Sequence, residues 1–224
     1  MTLGPSAQTW VLFVASKDRH RLQQIAQQQG GRLNQYRVNE VIGVLGERPA
    51  GLASGWSAVR VESDAPIPLT EESLSGVASP IIAFRGVTQN LHYTSAAQRL
   101  DLDARSRVEF EPSNETTAVL IPIGKSLKWW PLAQDQRQAH FQTSADYQGH
   151  TAIGAKYVDR VFRRLYHSRY TSPPTPYDFL TYFEFNSAHK EAFRMLLHEL
   201  RDTARNPEWG YVELEYEIWM TKIG

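Results

Sequence analysis

The sequence predicts an α+β protein: two ferredoxin-like β-α-β-β-α-β units whose sheets curl together into a β-barrel with helices outside. Three observations lead there. Strand-like and helix-like segments run through that order twice. The strand segments are short, β-branched or alternating, and bounded by Gly, Pro and Ser. Each unit has helices for one face of its sheet, and closing the two sheets on each other covers the other face. No residue-level repeat relates the halves, so only the pattern is duplicated. The units are expected at residues 1–110 and 111–224.

The first strand is Trp10–Ala15 (WVLFVA), followed by a helix over Ser16–Gln29 with Ser16 as N-cap. Leu22, Ile25 and Ala26 form its apolar face, and Gly30-Gly31 stops it. Arg37–Leu45 and Ser57–Ser63 are β-branched strands joined by the turn-rich Arg48–Gly55. Thr70 caps a short helix to about Val77, and Pro80–Phe84 is the next strand. A polar, charge-rich connector, Ser95–Thr117, leads to the second unit.

There Ala118–Ile123 is a strand and Ala133–Asp159 a helical region. Val161–Tyr170 and Phe179–Phe185 are strands separated by Thr171–Asp178, a loop with three Pro. Ser187 caps a helix with Phe193, Leu196, Leu197 and Leu200 on one face, and Asn206-Pro207 ends it. The last strand alternates Val212, Leu214, Tyr216 and Ile218 with Tyr211, Glu213, Glu215 and Glu217.

Composition narrows the chemistry. The chain has 224 residues, 24 basic and 24 acidic side chains, seven His and no Cys. Zero formal charge leaves no electrostatic footprint for nucleic acid or an anionic membrane. Without Cys there are no disulfides, thiolate metal sites or thiol nucleophiles. The N-terminus lacks a secretory pattern and no apolar run is long enough to span a bilayer, so the cytoplasm is the expected compartment. HExxH, GxSxG and P-loop motifs are absent.

His150 lies in GHTAIGAKYVDRVF, close to the apolar side of a helical stretch. Such a His is either a core group bonded to a carbonyl or a ligand. If the chain turns to strand near Val161, Arg163 and Leu165 share one face, as Thr181 and Phe183 do on the neighbouring strand. That makes a pocket floor with one cation, whose counter-charge is a structural Glu or a bound anion. Adjacent Trp129 and Trp130 follow a strand, and one buried plus one half-exposed indole is the plain reading. Lys125 and Glu208 read either as solvated charges or as site groups.

The run IPIGKSLKWW … GHTAIGAKYVDRVFRRLYHSRY … YDFLTYFEF … EWGYVE resembles the chlorite dismutase family, haem b proteins of two ferredoxin-like halves. The likeness runs from Leu120 to the C-terminus and more weakly through FRGVTQNLHYTSA. It implies that His150 is the proximal iron ligand and Glu208 the carboxylate accepting its Nδ1 proton. It implies that Arg163 is the distal arginine of chlorite-degrading members. Lys125, Trp129, Trp130 and Tyr93 match the segments around the haem propionates, and Leu165, Thr181 and Phe183 match the distal pocket. The stretch between Trp130 and His150 is longer than the family pattern, which makes His140 a competing ligand. His150 is preferred for its following Thr and its offset from Arg163.

The implied reaction takes chlorite to chloride and dioxygen through a ferryl and hypochlorite pair that Arg163 keeps together. The implied assembly is a homo-oligomer, pentamer or dimer, with no nucleic acid or membrane partner. Two alternatives are a coproheme decarboxylase, in which a neutral residue replaces the distal Arg, and a non-enzymatic haem-binding protein.

Overall fold

The structure, a computed structural model, describes residues 8–68, 80–88, 100, 104, 108–169, 171 and 174–224. The helix expected from Thr70, Tyr93, Tyr170 and most of the connector lie outside the described residues. In the first half the elements are β1 (Trp10–Ser16), α1 (Arg19–Gln29), β2 (Arg32–Leu45), β3 (Ser57–Ser63) and β4 (Ile81–Val87). In the second they are β5 (Thr116–Lys125), α2 (Gln134–Phe141), α3 (Gly149–Ala155), β6 (Phe162–His167), β7 (Phe179–Asn186), α4 (Lys190–Arg201) and β8 (Val212–Lys222).

The strands close into a barrel in the order β1-β3-β2-β8-β5-β7-β6-β4. Read from β4, this is β4-β1-β3-β2 followed by β8-β5-β7-β6, the same ferredoxin-like order in each half. The halves join along a long β2–β8 ladder from Tyr36↔Lys222 to Leu45↔Glu215. On the other side β4 and β6 meet at Val87↔His167.

Strand alternation sorts side chains into two layers. Inside lie Val11, Phe13, Tyr36, Phe84, Leu120, Tyr166, Tyr182 and Tyr216. Outside the first half, Leu12, Val14, Val59 and Val61 meet Leu22, Ile25 and Ala26 of α1. Outside the second, Val119, Ile121, Phe183 and Phe185 meet Ile153 of α3 and Phe193, Leu196 and Leu197 of α4. Part of the interior is ionic. Arg60 is 0% exposed; it donates to Glu109 and lies over the Tyr182 ring at 4.4 Å. Lys222 and Tyr182 both donate to Glu184, and Arg164 and Tyr166 to Glu62.

Several boundaries differ from the sequence expectation. Ser16 ends β1, and Asp18 caps α1 by accepting from the Arg21 N–H at 3.0 Å. β2 starts at Arg32, directly after Gly31, whose Cβ position would lie 2.2 Å from the Glu62 carbonyl oxygen. Only a residue without Cβ lets that strand pair so soon after the helix. The single helical region expected over Ala133–Asp159 is two helices, α2 and α3. Before α4, Asn186 rather than Ser187 caps a 3-10 turn by accepting from the Ala188 N–H.

Candidate functional site

The site occupies the outer face of the second sheet beside α2, α3 and the 3-10 turn Pro207–Tyr211. Its most constrained part is a chain of three charged groups. β5 ends in a register shift between Gly124 and Lys125, an irregularity that re-aims the last side chain. The Lys125 ammonium, 3% exposed, pairs with Glu208 Oε1, donates to the Glu208 carbonyl at 3.2 Å and lies 4.8 Å from the Trp129 ring centre. Glu208 Oε2 is 2.9 Å from His150 Nδ1. Burial pushes the Glu208 carboxyl up, but Lys125 and the His150 hydrogen bond more than reverse this, holding it well below the usual carboxylate range. An ionised carboxylate only accepts, so the imidazole proton sits on Nδ1 and the Nε2 lone pair is left for a ligand.

Local geometry fixes His150 as firmly. Gly149 opens α3 at φ +76, its N–H donating to the Arg205 carbonyl at 2.9 Å. A Cβ there would lie 2.5 Å from the Gln142 carbonyl oxygen, so α3 sits closer to α2 than any other residue allows. Lys156 and Tyr157 donate to Glu199 of α4, anchoring the far end. Phe141 and Trp209 flank the imidazole at 5.4 and 6.5 Å.

The shared strand face expected on β6 and β7 forms. Their register pairs Arg163 with Phe183 and Leu165 with Thr181, so the four side chains share a face. Phe183 and Thr181 are buried and Leu165 is half-buried. Arg163 has accessible surface, yet enough protein surrounds it that burial lowers its pKa, an effect the Glu208 carboxylate partly offsets. Among the described residues Arg163 makes no hydrogen bond or ion pair; of the two counter-charges the sequence left open, a structural Glu or a bound anion, no Glu there pairs with it directly.

The remaining expected residues divide. Trp129 is buried against Tyr211, Phe141 and His140, and Trp130 is half-buried, stacked on Phe179 at 6.1 Å with the Arg169 guanidinium 3.8 Å from its ring centre. The Trp130 Nε1 is buried without a partner. The Lys125 ammonium is committed to Glu208. His140 lies between Trp129 and Tyr211, and its buried Nδ1 has no partner. Burial lowers its pKa, and no carboxylate orients it as Glu208 orients His150. Sequence reasoning missed Asp178, His167 on the same strand face as Arg163, and Gly149. The αL conformation has no side-chain signature, whereas the Asp of YDF, at the end of a Pro-rich loop, was a visible turn signal.

Among the described residues no three His, Asp or Glu side chains converge as a metal site. A metal on His150 would need its other ligands from outside the protein, as porphyrin iron has them. The oriented Nε2, the partnerless Trp130 N–H and the unpaired Arg163 beside apolar Leu165 and Phe183 fit that group.

No protein-family model matches the chain. The curated chlorite dismutase of Ideonella dechloratans is 31% identical over 129 residues, 56% of this chain and 41% of that protein. The match thus spans less than half of that relative's length. Among solved structures, a dimeric chlorite dismutase from Nitrobacter winogradskyi matches with TM-score 0.66 and 29% identity, covering 93% of this chain and 99% of that one. The chlorite dismutase of Candidatus Nitrospira defluvii in complex with imidazole shares the fold at TM-score 0.63 and 20% identity, over 95% and 91% of the two chains.

Proposed function

We propose that the chain, similar to chlorite dismutases in sequence and in fold, is a haem b oxidoreductase that converts chlorite to chloride and dioxygen. The observation that carries the reading is Arg163, a guanidinium on that shared strand face with no counter-ion among the described residues. Haem b, when bound, would supply the iron redox chemistry that rearranges the chlorine–oxygen bonds. His150 would hold the iron through Nε2. Glu208, accepting the Nδ1 proton, makes the imidazole a stronger donor, and Lys125 keeps that carboxylate ionised.

Chlorite gives chloride and dioxygen with no net change in protons or electrons. The distal group therefore need not be an acid or base. It has to attract an anion and keep fragments from leaving, which suits a guanidinium, because it stays protonated near neutral pH. The chain's zero net charge offers little long-range steering, so the attraction must be local. Leu165 and Phe183 place apolar surface next to Arg163 on the same strand face. Arg163 also argues against the decarboxylase alternative, for which the resemblance implies a neutral residue at this position. Self-association belongs to the same reading, since the Nitrobacter relative is described as dimeric.

The test is to reconstitute the protein with haem b, record its absorption spectrum, and follow oxygen on adding chlorite. A high-spin haem spectrum lost in His150→Ala but kept in His140→Ala, and one dioxygen per chlorite consumed, are expected. Haem binding that survives His150→Ala unchanged, or chlorite consumed without oxygen, would overturn the reading.

A further inference from the structure

Asp178 stands where the end of β6, the start of β7 and the end of β5 meet. Its backbone N–H donates to the Ile123 carbonyl at 2.8 Å, and its carbonyl accepts from the Ser168 and Arg169 N–H groups at 2.7 and 3.2 Å. Those bonds fix the backbone and leave the carboxylate, itself buried, for other work. Oδ2 accepts from the Lys125 backbone N–H at 2.7 Å, and Oδ1 accepts from Arg169 Nη1 at 2.8 Å. Each oxygen leads to a different part of the site. From Lys125 the path continues through its ammonium to Glu208 and on to His150 Nδ1. From Arg169 it continues to the Trp130 ring, which the guanidinium covers at 3.8 Å and Phe179 backs from the stacked side.

We propose that Asp178 is a positioning residue that sets both the imidazole and the Trp130 indole, one through each carboxylate oxygen. The division of labour follows from acceptor chemistry. Two donors from different segments converge on one side chain, and only a carboxylate offers both oxygens as acceptors. Asparagine of the same shape keeps one acceptor and turns an amide N–H₂ toward the other donor. The backbone of Lys125 sits at the register shift, where the ladder with β8 is interrupted, so Asp178 supplies the hold the sheet does not. The Oδ1 acceptor holds the guanidinium that covers the indole face. The consequence for an iron ligand rests on the haem reading above. The geometry itself does not.

The experiment is nitrogen-edited NMR of the full-length haem-free protein, observing the His150 Nδ1–H and the Trp130 indole N–H. The variants are Asp178→Asn and Arg169→Gln. Arg169→Gln should shift the Trp130 resonance and leave the His150 proton in place. Asp178→Asn should shift Trp130 and also lose the slowly exchanging His150 Nδ1–H. A loss of general stability alone would disturb both reporters in both variants, so the asymmetry is the signature of positioning. An unmoved His150 proton in folded Asp178→Asn would overturn the proposal. Should Asp178→Asn fail to fold, Arg169→Gln still decides, because a displaced His150 proton or an unmoved Trp130 resonance there contradicts it. A haem-loaded arm separates this from the haem reading. The iron–histidine vibration should fall in frequency in Asp178→Asn and stay constant in Arg169→Gln. If the wild-type protein binds no haem, the haem reading fails while the NMR result stands.

Discussion

Arg60 and Arg163 stand on strands of the same barrel, and they are opposite in every respect that bears on function. Arg60 points inward, has no exposed surface, donates to Glu109 and lies within 4 Å of Glu62 and Glu184. Arg163 points outward toward the helix layer, keeps water-accessible surface, and has no partner among the described residues. The inner arginine is compensated within the chain, so its charge serves the fold. The outer one makes no ion pair among the described residues, so on the proposed function its charge is there for an anion. An exposed cation with no ion pair among the described residues thus stands on the outer face of a barrel whose inner cations are all paired with carboxylates.

Substitution should widen that contrast. Arg60→Met removes the one cation shared by Glu109, Glu62 and Glu184 inside the barrel, and removing one partner from such a buried set costs about 3–5 kcal/mol. Urea unfolding should show that loss, and a variant as stable as the parent would mean the interior network is not holding the halves together. Next in size is Gly149→Ala, which forces Cβ onto the Gln142 carbonyl at a positive φ. A cost of roughly 1–3 kcal/mol is expected, with displacement of His150 visible as weaker haem retention.

A smaller effect concerns Glu208. Its folded pKa lies below its ordinary value of 4.5, so it contributes stability above about that pH, and this is lost as pH falls toward the folded value. The paired variant Lys125→Met/Glu208→Gln should therefore show a flatter stability curve below pH 4.5 than the parent. Equal slopes in acid titrations followed by circular dichroism would remove the pair from the linkage. Smallest of all, Arg163→Met in the haem-free protein should change stability by no more than about 0.5 kcal/mol, or raise it, because no native partner is lost. A loss as large as that of Arg60→Met would show a hidden counter-ion.

The pattern of elements was legible because strand alternation and one-sided helices are local signals. β8 alternates as expected, yet Glu215 and Glu217 on its polar side are buried against Arg201, Trp209 and Trp219. The inner ionic network was invisible for the same reason. Arg60, Glu184 and Lys222 occupy strand positions that read as solvated until the barrel closes. The strand face shared by Arg163, Leu165, Thr181 and Phe183 followed from strand period alone, given a turn to strand near Val161. Lys125 did not, since its partner lies 83 residues away and its direction depends on a ladder irregularity. Asp178 acts through one backbone N–H and one distant guanidinium, neither of which leaves a sequence pattern.

On the proposed function, the guanidinium of Arg163, with no ion pair among the described residues, is what draws the anion. The most direct measurement compares wild type and Arg163→Gln, each loaded with haem b to a quantified occupancy, for initial oxygen evolution from chlorite. Near-equal haem occupancy with a roughly ten-fold or greater loss of oxygen evolution at subsaturating chlorite is predicted, the scale of one charge-assisted contact. Wild-type oxygen evolution by Arg163→Gln at equal haem occupancy would contradict the account.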